Sequence, residues 1–213
     1  MKWYLLVAVQ QVYLLPILQH HSIRVTKDVD AIVQVASLVD YHRLSEKLRK
    51  KGFQEDMSDG APICRWKADS VILDVMPTDS KILGFGNHWY VPATKNAVTI
   101  QLPSGKTIKM VSAPYFLITK LEAFDGRGAG DFLMSHDIED IITVLDGRPK
   151  IIDEVKSSDA KLVNELAKRF SILLNNNQFV DAVYGHMPID PTSQARVPKI
   201  LKMVQQIAET NYQ

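Results

Sequence analysis

Two aspartates separated by a single valine, Asp28 and Asp30, open an apolar and β-branched run, VDAIVQV, from Val29 to Val35. In a strand, alternate side chains project from one face, so these two carboxylates are expected to point the same way. A third, Asp74, sits between Leu73 and Val75 late in another apolar run, SVILDVM. Aspartate suits a strand interior poorly and an unpaired carboxylate there is costly, so Asp74 needs a partner or a task. Three carboxylates converging from neighbouring strands repel one another unless a divalent cation neutralises them. Mg²⁺ (or Mn²⁺) takes oxygen ligands, and a pair of such ions can activate an attacking oxygen and stabilise the leaving one. A plainer arrangement fits the same spacing: Asp28 and Asp30 cap a strand end, and Asp74 pairs with Arg65 or Lys67.

Other chemically capable residues carry less. The six histidines, among them His20, His21, His88 and His136, show no metal-ligand spacing. GRGAGD, from Gly126 to Asp131, lacks the Lys-Ser/Thr ending of a phosphate loop and reads as a connector. Cys64, in ICRW, reads as a packed thiol on a strand. Trp89 and Tyr90 could stack on a base, but packing is the commoner role for such residues.

The elements that must hold these residues alternate in the first half of the chain. Val29 to Val35 reads as a strand with Val29, Ala31, Val33 and Val35 on one face. Ser37 can cap a following helix that turns Leu44 and Leu48 inward and stops at Gly52. Ser70 to Met76 reads as a second buried strand, Trp89 to Val91 as a short one, and Val98 to Leu102 with Thr107 to Val111 as a hairpin turning at Pro103-Ser104-Gly105. After Ser112 the apolar period changes to three and four. Ala113 and Pro114 start a helix ending at Gly126, with Leu117, Leu121 and Phe124 along one side. A second helix turns Ile138, Ile141, Ile142 and Leu145 inward. Two longer ones span Asp159 to Leu174 and Ser193 to Ala208, with a short one near Phe179 to Tyr184. The expected organisation is an α/β (α+β) domain with a mixed sheet over residues 1–111 and a helical domain over 112–213.

The chain's 213 residues are 46% apolar and 23% charged, ordinary for a globular protein able to bury a core without metal or disulfide staples. Its single cysteine excludes an intramolecular disulfide and fits a cytoplasmic location. A net charge of +1, from 25 basic and 24 acidic residues, implies no polyanion partner. The basic run from Arg43 to Lys51 reads as the solvated face of a helix, with an RNA-binding surface as the alternative. MKWYLLVAVQQVYLLPILQHH is interrupted by Gln10 and Gln11 and has no small-x-small cleavage site. It reads as a strand and helix at the core's edge, with no membrane span.

The strings RVTKDVDAIVQV, CRWKADSVILDVMPTD, ILGFGNHWY and YFLITKLEAFDGRGAGDFLMSHDIEDIITVLDGR, in that order, resemble the AbiEii-like nucleotidyltransferases. These belong to the DNA polymerase β-like superfamily and include toxins of toxin–antitoxin and phage-defence systems. The resemblance runs from about Trp3 to Arg148, and more loosely through the helical end, and rests on Thr-x-Asp-x-Asp followed by Lys…Asp-x-x-Asp. It implies the nucleotidyltransferase fold and transfer of a nucleoside monophosphate from a nucleoside triphosphate to an acceptor hydroxyl on tRNA or a protein. It also implies Asp28, Asp30 and Asp74 as metal ligands, with Asp74 on the nucleophile side. Thr26, Lys27 and Lys120 become nucleotide contacts, Asp137 and Asp140 an acidic pair completing a cleft with the sheet aspartates, and an antitoxin a partner. On the residues alone, Lys120 has an alternative as a solvated helix residue, and Asp137 and Asp140 as favourable charges at a helix N-terminus. One departure stands out: where the family carries Gly-Gly or Gly-Ser close to the phosphates, this chain has Ala8-Val9. A β-branched valine resists the close backbone approach that glycine permits. Two further readings stay open: a non-catalytic binding protein on the same scaffold, and a hydrolase or phosphotransferase using the same carboxylates.

Overall fold

A computed structural model describes residues 2–5, 28–35, 37–128 and 130–210. Thr26, Lys27, Ala8-Val9 and His20-His21 lie outside the described residues. The described chain is α+β and separates into two compact units between Ser112 and Ala113. In the first, seven strands form one sheet in the order β3-β4-β5-β2-β1-β7-β6. These are β1 (Lys2–Leu5), β2 (Asp28–Gln34), β3 (Gln54–Glu55), β4 (Arg65–Ala68), β5 (Val71–Pro77), β6 (Val98–Gln101) and β7 (Thr107–Met110). The β2–β5 and β1–β7 pairs are parallel and the others antiparallel, so the sheet is mixed.

The alternation along β2 divides its residues between two environments. Val33 and Val35, with Val75 of β5 and Trp66 of β4, pack against Tyr41, Leu44 and Leu48 of helix α1 (Leu38–Arg49). Ser37 begins that helix by accepting a hydrogen bond from the Asp40 amide, and Gly52, with φ +89°, reverses the chain after it. The basic residues between Arg43 and Lys51 are exposed, as expected of a solvated face. On the other face of β2 and β5, Gln34 donates to Thr94 and Tyr90 donates to the Met76 sulfur. Thr94 and Tyr90 belong to α2 (Tyr90–Lys95), which occupies the stretch expected to begin as a short strand at Trp89–Val91. The Asn87 side chain accepts from the Trp89 amide and starts the turn, and Pro92 falls within the first helical turn, where its missing N–H costs nothing. The β6–β7 hairpin turns through Gly105 at φ +79°.

The second unit is helical: α3 (Ala113–Arg127), α4 (His136–Gly147), α5 (Ile151–Lys156), α6 (Ala160–Leu174), α7 (Asn177–His186), α8 (Pro191–Gln194) and α9 (Val197–Ala208). Helix α3 is buried from Ala113 to Leu121 on every side and packs against α4, α5 and α6. It runs through Gly126 rather than stopping there. Helix α6 turns Leu162, Leu166, Phe170 and Leu173 inward, each contributing roughly 1.5–3 kcal/mol of burial. The helix expected over Ser193 to Ala208 is two, α8 and α9, and Pro198 belongs to the first turn of the second.

Candidate functional site

The central parallel pair places the sheet aspartates on one face. Asp30 of β2 is in register with Asp74 of β5, and Asp28 lies two residues earlier on the same face. Asp74 is also in register with Arg65 of β4, which puts four charged side chains on one side of three adjacent strands. The Arg65 guanidinium grips Asp74 with both prongs: Nε donates to Oδ1 at 2.8 Å and Nη2 to Oδ2 at 2.7 Å. Nη2 also lies 3.9 Å from Asp28 Oδ2. Asp74 is 8% exposed, so this partner is what makes its charge tolerable there. Lys67, the other partner considered, pairs instead with Asp56 at 2.7 Å, and with Ser58 it holds the Asp56 carboxyl down to about 2.

Cys64 precedes Arg65 and is buried; its carbonyl accepts from the Val75 amide. Burial first, then the charges of Asp74 and Asp30, push its thiol up to about 12, which makes it a packed group and not a nucleophile. Trp89 and Tyr90 are buried as well. Among the described residues, no group of three or more His, Cys, Asp or Glu is gathered to hold a metal ion.

The second constellation belongs to the helical unit. Lys120 stands on the fully enclosed part of α3 and is only 7% exposed, which rules out a solvated role. Its ammonium lies 2.6 Å from Asp140 Oδ2 and 3.3 Å from Asp137 Oδ1, and 5.5 Å from the Phe116 ring centre. Asp137 and Asp140 are three residues apart on α4 and so share a face. Arg127, seven residues beyond Lys120 and therefore on the same side of α3, donates to Asp137 through Nε and Nη2 at 2.8 and 2.7 Å. Burial works against a charge on Asp137, but the Arg127 hydrogen bonds and the Lys120 charge outweigh it and hold the carboxyl below its ordinary range. Arg127 was hidden in a glycine-rich run that reads as a connector; its two-turn spacing from Lys120 was the available signal.

Compared with known proteins, the chain matches no family model and no curated sequence. No helix among the described residues is long and apolar enough to cross a membrane.

Proposed function

We propose that this chain is a metal-dependent nucleotidyltransferase of the AbiEii-like kind. It would move a nucleoside monophosphate from a nucleoside triphosphate to a hydroxyl of tRNA or a protein, releasing pyrophosphate. The observation that carries this reading is the shared face of Asp28, Asp30 and Asp74, with Asp30 and Asp74 in register on parallel neighbours. Carboxylate oxygens are the donors Mg²⁺ or Mn²⁺ requires, so the residues fit in type, although in this conformation they are not gathered around one point and Arg65 engages both oxygens of Asp74. Asp28 and Asp30 would hold the ion, and Asp74 would join them on the nucleophile side. Bound there, the ion would neutralise phosphate charge and favour an attacking oxygen. By the resemblance alone, Lys120 would contact the phosphates and Asp137 and Asp140 would be the family's acidic pair. Within this reading the protein is a cytoplasmic toxin restrained by an antitoxin.

Incubation with each α-labelled triphosphate, Mg²⁺ or Mn²⁺, and tRNA or bulk protein tests the proposal. Label should appear on one acceptor class and vanish with Asp28→Ala. Failure with all four triphosphates and both acceptors would overturn it. That outcome would favour the second reading, a non-catalytic protein on the same scaffold, for which the Arg65 grip on Asp74 is the supporting observation.

A further inference from the structure

Arg65 does more than satisfy one buried carboxylate. Its backbone is fixed on both sides, the amide donating to the Pro62 carbonyl at 2.9 Å and the carbonyl accepting from Asp56 at 3.0 Å. Strand pairing aligns it with Asp74, and the same Nη2 that binds Asp74 lies within ion-pair distance of Asp28. A guanidinium is charged at every working pH. A monovalent cation is thus tethered between two of the three carboxylates. A side-on fork takes one lone pair from each Asp74 oxygen and leaves a positive group beside those that remain.

We propose that Arg65 is the resident counter-cation of this carboxylate face, so that a divalent ion takes Asp74 as a ligand only by displacing the Arg65 fork. The proposal rests on the metal-dependent reading above. It makes Arg65 a positioning residue: it stabilises Asp74 before the ion arrives and must release it for Asp74 to become a ligand.

The test is Mn²⁺ affinity of the full chain, read from the paramagnetic signal of the free ion. Arg65→Gln should bind Mn²⁺ about tenfold or more tighter than wild type, because a like charge next to the ligands is gone. Adding Asp74→Asn to that variant should abolish the gain, since the released ligand is Asp74. Unchanged or weaker binding by Arg65→Gln, or a gain that survives Asp74→Asn, overturns the proposal while leaving the metal-dependent reading intact. Absence of Mn²⁺ binding in both wild type and Arg65→Gln overturns the two together. Because Arg65→Gln strands a largely buried carboxylate, a measurement on wild type stands beside it. The Arg65 Nε–H resonance, assigned by its loss in Arg65→Lys, should shift as Mg²⁺ is added at saturating levels. A resonance unmoved while Mg²⁺ binds elsewhere on the face overturns the displacement.

Discussion

Lys120 and Asp137 differ from surface ion pairs in how little water reaches them, and that difference has measurable size. Removing one partner of a buried pair leaves a stranded charge, which costs about 3–5 kcal/mol. Lys120→Met should therefore lower the stability of the helical unit by that order, as read by urea denaturation. Lys120→Met with Asp140→Asn should recover part of the loss. The pH dependence has a definite sign. The Asp137 carboxyl is held below its ordinary value of 3.8, so its contribution is complete above that value and is lost as pH falls through the depressed one. Asp137→Asn should flatten the acid limb of the stability profile and leave its neutral region parallel. Cys64 provides an opposite case: with its thiol near 12, alkylation at pH 8 should be slow in native protein and fast in urea.

Among the elements, α6 shows how one residue can serve a helix end and a tertiary contact together. Asp159 caps it by accepting from the Leu162 amide at 3.1 Å, and it also accepts the Tyr115 hydroxyl of α3. Asp159→Ala loses both and should cost about 2 kcal/mol, while Asp159→Asn keeps an N-cap and should cost less. A double-mutant cycle with Tyr115→Phe separates the two parts. Much of this level was legible in the chain: the Ser37 cap, the valine alternation of β2, the Gly105 hairpin and the apolar stripe of α6 follow local rules. Three features followed other rules. Trp89 to Val91 has the aromatic and β-branched composition of a strand, but the Asn87 turn and a tolerated Pro92 make it helical. Helix α5 has six residues, too few to display a period. The break before α9 lies at Arg196, whose guanidinium is drawn to the buried Asp146 of α4, a partner 50 residues away that no local pattern announces. The same limit applies to the candidate site. Strand alternation predicted the shared face of Asp28 and Asp30, whereas the choice of Arg65 over Lys67 for Asp74 required the β4–β5 register.

At the scale of the whole molecule, the two units carry different spectroscopic labels. All three tryptophans, Trp3, Trp66 and Trp89, precede Ser112, while most of the helix follows it. Tryptophan fluorescence thus reports the sheet unit and far-ultraviolet dichroism mainly the helical one. Leu166→Ala removes a fully buried side chain from the helical core and should cost about 2–5 kcal/mol. Since each unit has its own core, the dichroism midpoint in urea should fall more than the fluorescence midpoint. Equal shifts would mean that the two melt as one cooperative block.

The placement of Asp30 beside Asp74 is also a lesson in parity. If β2 slid by one position against its neighbours, Asp28 and Asp30 would turn toward Val75, Trp66 and Leu44, and Val33 would turn out of that core. Each misdirected carboxylate would face an apolar interior with no partner, an error costing several kcal/mol. The aspartates therefore act as a checksum on strand alignment, penalising every odd-numbered slip whether or not they ever meet a metal. Deletion of Val29 should consequently damage folding far more than Val29→Ala, which alters a side chain but preserves the count.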